Sequence, residues 1–147
     1  MQSRHRGAVV NISSLAALFS IPYLEDYSAS KAQLSAYTRS LMASHRDTGV
    51  IFIDFQPGDY RTQFNHNLTR YGEDNPESEA VWRQLERNLR RGPAPERAAI
   101  DVVAALLRGK SSTVTSGSFF QSKVAPIGRR ILPAGLIAWA IRKYYRI

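Results

Sequence analysis

The chain has 147 residues, no cysteine, and twenty Lys and Arg against twelve Asp and Glu, a formal net charge of +8. That length favours one domain with a sizeable core, and the lack of cysteine excludes disulfides, thiolate metal sites and thiol catalysis. No run of about 20 apolar residues suggests a membrane-spanning helix and no signal peptide is read, so a cytoplasmic or membrane-surface location is expected. Gly7 to Ser14, apolar and then small and polar, predicts a buried parallel strand. Residues 15–26 predict a loop, broken at Ile21-Pro22. A helix is expected from about 27 to 46, with Gly49 as its stop signal. Val50 to Phe55 is a second apolar, β-branched strand, running into Gln56-Pro57-Gly58-Asp59-Tyr60-Arg61-Thr62. Residues 63–75 are polar and irregular, and Glu77 to Arg91 carries Val81, Trp82, Leu85 and Leu89 at helical spacing. After Gly92-Pro93-Ala94-Pro95, Glu96 to Leu107 predicts another helix, and Thr113 to Phe120 is a candidate third strand. The last segment, 126–147, is apolar and then aromatic and basic. The histidines at 5, 45 and 66 have no ligand spacing and are read as surface residues, and no metal site is expected.

Chemistry enters at Ser14, Tyr27 and Lys31. A phenol can move a proton at a carbonyl oxygen, but its unperturbed pKa is about 10. A nearby ammonium favours the phenolate and brings that pKa toward the range of a working acid/base. On a helix, Tyr27 and Lys31 at i and i+4 share one face. A serine hydroxyl from a strand end can hold a substrate oxygen in register. Taken singly, each feature has a plainer reading. Tyr and Lys four apart occur by chance, Ser13 and Ser14 suit a turn or N-cap, and Pro57-Gly58 suits an ordinary turn.

In their order along the chain, strand, Ser14, Tyr27-x-x-x-Lys31, strand and Pro57-Gly58-x-x-x-Thr62, these features resemble a short-chain dehydrogenase/reductase. The resemblance covers only the C-terminal portion of such a protein. It implies an α/β fold, a partial doubly wound (Rossmann-type) parallel sheet with flanking helices, lacking the first strands. It implies hydride transfer between NAD or NADP and a small-molecule alcohol or carbonyl substrate. In it Tyr27 is the acid/base, Lys31 tunes the phenol and contacts the ribose, and Ser14 positions the substrate. Pro57, Gly58, Asp59 and Tyr60 offer backbone to the nicotinamide, and Thr62 contacts its carboxamide or a phosphate. Residues 63–95 correspond to a substrate lid. The family's Gly-x-x-x-Gly-x-Gly phosphate loop, its Asn-Ala-Gly stretch and its catalytic asparagine have no counterpart here, Asn11 lying instead in the strand before Ser14. The expectation is a truncated chain, or one begun at an internal methionine to which Met1 corresponds, impaired in cofactor binding. The rival is a non-catalytic remnant acting as an interaction or membrane-associated fragment.

The chain divides, on this reading, into residues 1–125, the dehydrogenase portion, and 126–147, a basic amphipathic tail. Residues 1–101 hold twelve Lys/Arg and twelve Asp/Glu, whereas 102–147 hold eight Lys/Arg and no acid. The tail can pack as a helix on the enzyme or a second subunit. It can instead lie on an anionic membrane, with Trp139, Tyr144 and Tyr145 at the interface and Arg129, Arg130, Arg142, Lys143 and Arg146 toward headgroups, which would suit a lipophilic substrate. No nucleic-acid module is recognisable, and none is expected as partner. An exposed sheet edge favours self-association, and the full-length form is expected to be a homo-oligomer.

Overall fold

The computed structural model describes residues 1, 6–63 and 75–147. Three parallel strands form the sheet: β1 (Gly7–Ile12), β2 (Val50–Pro57) and β3 (Ser112–Ser116), in the order β1-β2-β3. Gly7 pairs with Val50 and Ile12 with Phe55 across β1 and β2, while Ile53 pairs with Ser112 and Pro57 with Ser116 across β2 and β3. The fold is the α/β parallel arrangement anticipated from the apolar strand runs.

Central β2 is covered on both faces, and its side chains alternate accordingly. Ile51, Ile53 and Phe55 turn to α3 (Glu96–Leu107), where they pack with Ala98, Val102, Ala105 and Leu106. Phe52, Asp54 and Gln56 turn to α1 (Glu25–Ser44). This second face is polar at its heart. The Asp54 side chain, 0% exposed, accepts from Ser13 Oγ at 2.5 Å, Ser35 Oγ at 2.6 Å and Gln56 Nε2 at 2.8 Å. Asn11 Nδ2 donates to Thr38 Oγ1 at 2.8 Å and adds a further tie between strand and helix. Helix α1 is thus held to the sheet by hydrogen bonds from small polar residues rather than by an apolar stripe. His45, expected on the surface, is half-buried with its ring 5.5 Å from that of Phe52. The other two histidines, His5 and His66, lie outside the described residues, as do residues 64–74 of the expected polar stretch and lid.

Helix α2 (Pro76–Arg91) starts with Asn75 as N-cap, its Oδ1 accepting from Ser78 N–H at 2.8 Å, and with Pro76 in the first turn. Glu77 and Glu79 near its start and Arg90 and Arg91 near its end complement the helix dipole. Its apolar face, Val81, Trp82 and Leu85, forms a second core with Tyr145 of α5 (Ala134–Tyr145). Tyr145 is therefore buried in the protein rather than available at a membrane interface. Gly92, after α2, lies against the Pro-Gly loop, where an added Cβ would meet the Asp59 carbonyl oxygen at 2.7 Å. Because that neighbour is backbone, Gly92→Ala is expected to cost about 1–3 kcal/mol, seen as a lower Tm in thermal denaturation. An unchanged Tm would show that the two segments separate freely.

The third strand is shorter than expected. It stops at Ser116 because Gly117 takes φ +139°, a region closed to most side chains. Phe119 and Phe120 then enter a helix, which runs through a π turn (Phe120–Val124) into α4 (Ala125–Ile131). The expected division at residue 125 falls inside this continuous helical run. It ends at Leu132, extended at ψ 140° before Pro133, and α5 follows. Among the described residues, no helix is long and apolar enough to cross a membrane.

Candidate active site

The C-terminal ends of β1 and β2 open onto a cavity of about 620 Å³. Ser14, Tyr27, Lys31, Pro57, Gly58, Asp59, Tyr60 and Thr62 all line it, so residues spread over 49 positions of sequence meet at one place. The parallel register makes this possible. With Ile12 beside Phe55, the chain leaving β1 at Ser13 and Ser14 runs next to the chain leaving β2 at Pro57 and Gly58. Ser13 N–H donates to Phe55 O at 2.8 Å and keeps the two together past the last strand pair.

Ser14 caps a short 3₁₀ turn, Leu15–Ala17, its Oγ accepting from Ala16 N–H at 3.1 Å. The N-cap reading and the substrate-facing reading of Ser14 are therefore compatible. Tyr27 sits in the first turn of α1, half-buried. Burial raises its pKa above the usual phenol value, a hydrogen bond with Ser14 lowers it, and the Asp59 charge raises it further; the net direction is upward. Lys31 Nζ lies 5.8 Å from the Tyr27 ring centroid and donates to Ile12 O at 3.0 Å. Burial sets that direction, and a phenol so raised keeps its proton through neutral pH.

The Pro-Gly loop is braced from behind. The Tyr60 hydroxyl bonds to Ser116 Oγ, which donates to Asp101 Oδ2 at 2.5 Å, and Arg97 Nε lies 3.2 Å from Asp101 Oδ1. Its phenol is thereby committed to the scaffold, and only its backbone is left for a ligand. Gln121, from the π turn, donates to Asp59 Oδ2 at 2.5 Å and accepts from Asp59 N–H at 3.3 Å. It fills the hollow over Gly58 and Gly117, where an added Cβ would meet Gln121 Oε1 at 2.7 Å and 2.8 Å. Nothing in the sequence singles out Gln121, which lies 62 positions from Asp59. Much of the remaining lining is apolar, made by Leu85 and Leu89 of α2, Phe120 and Val124 of the π turn, and Ile137 and Ile141 of α5.

Comparison with known proteins bears on the fold that carries this cavity. A family model described as short chain dehydrogenase matches residues 1–72. The 3-ketodihydrosphingosine reductase of Bacteroides thetaiotaomicron is 27% identical, over 100% of this chain and 57% of that one. A dehydrogenase/reductase SDR family protein 7-like of Drosophila melanogaster is 28% identical, over 97% of this chain and 41% of its own. Among solved structures, a short-chain dehydrogenase from Streptomyces avermitilis superposes with TM-score 0.69 at 26% identity, covering 95% of this chain and 52% of that one. The chain spans about half the length of the curated relatives it matches.

Proposed function

We propose that this chain belongs to the short-chain dehydrogenase family, whose model matches residues 1–72, and that it carries the catalytic portion of an NAD(P)-dependent oxidoreductase acting on a lipophilic carbonyl or alcohol. The observation that carries the reading is the convergence of Ser14, Tyr27 and Lys31 with the Pro57–Thr62 loop on one cavity whose lining is otherwise largely apolar.

Two features suit these residues to the nicotinamide-ribose end of such a cofactor. Lys31 reaches the cavity with a single N–H bound to Ile12 O, leaving donors for ribose hydroxyls. Thr62 is exposed at the same mouth. When bound, the cofactor supplies the hydride that the carbonyl carbon accepts. The Tyr27 hydroxyl gives its proton to the oxygen as charge develops there, and the phenolate is reprotonated from water. The Ser14 hydroxyl donates to the same oxygen and orients it, and the Lys31 ammonium stabilises the transient phenolate. The nucleotide half of the cofactor then needs a glycine-rich helix N-terminus, which the C-terminal portion of a longer reductase would receive from its upstream half. Purified protein from its source, assayed for NADH and NADPH oxidation with decan-2-one, is expected to turn over with at least one of them. No turnover with either, and no cofactor binding, would favour the rival reading as a non-catalytic fragment.

A second reading concerns location. The face of α4 and α5 turned from the cavity exposes Ile131 (72%) and Trp139 (59%), and Phe119 before them is 78% exposed. Lys143 Nζ lies 5.8 Å from the Trp139 ring centroid, and Arg129, Arg130 and Arg146 belong to the same acid-free segment. Basic residues interleaved with exposed aromatic ones favour an anionic lipid surface, a setting that suits a lipophilic substrate and a cytoplasmic, membrane-associated enzyme. Co-sedimentation with vesicles containing phosphatidylserine, weakened by Trp139→Ala and by salt, is the expected result; equal recovery with neutral vesicles would refute it.

A further inference from the structure

We propose that Gln121 is a positioning residue for cofactor binding: its side-chain amide sets the backbone of the Pro57–Thr62 loop, so that affinity for the nicotinamide end is governed from the C-terminal segment. The proposal rests on the reading of that loop as the nicotinamide side of the cavity and adds a distant residue to it.

Three N–H groups of the loop are closed by bonds to other segments. Gly58 N–H donates to Ser116 O at 2.7 Å, and Arg61 N–H donates to Pro93 O at 3.0 Å. Asp59 N–H, between them, donates to Gln121 Oε1 at 3.3 Å. The first two bonds join main chain to main chain. The third is made by a side chain, so it depends on which residue stands at 121. The same amide also holds the Asp59 side chain, Nε2 donating to Oδ2 at 2.5 Å. A donor and an acceptor on one amide, engaging one residue at two points, fix the orientation of that residue as well as its distance. The bond to the carboxylate is charge-assisted and the stronger of the two.

Gln121 is itself placed by its surroundings. Its N–H donates to Ser118 Oγ at 3.3 Å, and Ser118 N–H donates to its Oε1 at 3.3 Å. The π turn that carries it is tied back to β3, where Thr115 Oγ1 donates to Ser122 O at 2.8 Å. Such turns are frequent at functional sites. Gly58 and Gly117 leave the room in which the amide sits. The loop is already attached on either side of Asp59, through Gly58 and Arg61, so the Gln121 bonds add orientation rather than attachment. Gln121 lines the cavity together with the loop that it holds. Ser14 leaves β1, and Tyr27 and Lys31 stand on α1; the π turn carries none of them. Releasing the amide therefore disturbs the cofactor's side of the cavity and leaves the proton-transferring groups in place.

The test is steady-state kinetics with NADPH and NADH, and decan-2-one as substrate, on the purified protein and its variants. Gln121→Glu sets a second carboxylate against Asp59. It is expected to raise the KM for cofactor about three- to tenfold, the worth of about one hydrogen bond, with kcat and Tm little changed. Gln121→Met, close in size and without the amide, is expected to do the same and introduces no charge. Asp59→Asn combined with Gln121→Glu transposes amide and carboxylate, lets the same two bonds form, and is expected to bring the KM back. A merely structural role would lower Tm and the active fraction, hence kcat, and leave KM alone. That result, an unchanged KM in Gln121→Glu, or a raised KM that the double variant does not restore would each overturn the proposal. Hydrogen exchange at the Asp59 amide, which needs no turnover, separates the two readings. Faster exchange in Gln121→Glu, slowed again in the double variant, with no turnover and no cofactor binding removes the reductase and keeps Gln121 as the residue that sets the loop. Unchanged exchange with turnover intact removes Gln121 and keeps the reductase.

Discussion

Tyr27→Phe is expected to lower turnover by about 10²- to 10⁴-fold, the usual worth of a positioned acid/base, with little change in KM. The substitution removes one oxygen from a half-buried ring whose hydroxyl bonds to Ser14, so α1 and the cavity wall keep their shape. The pH profile adds a sign. The Tyr27 pKa is raised, by burial first, so the proton-donating form persists across neutral pH and is lost only as pH climbs above the ordinary phenol value of about 10. Carbonyl reduction should therefore be level through neutrality and fall only in strong alkali. Alcohol oxidation, which needs the phenolate, should rise over the same interval. Steady-state rates from pH 6 to 11 in both directions check this; a reduction limb that falls near pH 7 would mean that the Lys31 ammonium, not burial, governs the phenol.

Asp54→Ala has the largest expected effect on stability, about 3 kcal/mol or more. The carboxyl is wholly buried and accepts from Ser13, Ser35 and Gln56. Truncation leaves Ser35 and Gln56 to share one weak bond of 3.1 Å, and each buried polar group left without a partner costs about 1–3 kcal/mol. Gln56 Oε1 is already without one, so the face has no slack. A loss of that size is a large fraction of the stability of an ordinary domain. The turn that carries Ser14 should loosen with it, because Ser13 is bonded to Asp54 and Ser14 follows directly. Urea unfolding is the measurement, with Asp54→Asn as the milder comparison, since it preserves volume and one acceptor. A midpoint unchanged in Asp54→Ala would show that the polar face is not what holds α1 to the sheet.

Local signals were legible where the chemistry is local. Strand β2 shows as a β-branched run, α3 spans the Glu96–Leu107 segment expected after Gly92-Pro93-Ala94-Pro95, and α1 carries Tyr27 and Lys31 one turn apart. The third strand stops short of its expected end at one place, the Gly117 backbone, whose φ no composition argument specifies. Asp54 and Gln56 did leave a trace, two polar residues at alternate positions of an apolar strand. That pattern alone does not say whether the positions face water or Ser35 of a helix.

What the amino-acid order settled, then, is which groups are present and which share a helix face or a strand end: Ser14 after a strand, Tyr27 and Lys31 at i and i+4, Pro57-Gly58 after the next strand. These follow from periodicity and backbone preference, which act over a few residues. What waited for the folded chain is the sign of the Tyr27 pKa, the hydrogen bond from Gln121 to Asp59, and the burial of Tyr145 of α5 against α2 rather than against lipid. Each depends on desolvation or contact between segments far apart in the chain, and neither quantity exists until the sheet, α2 and α5 have enclosed the cavity.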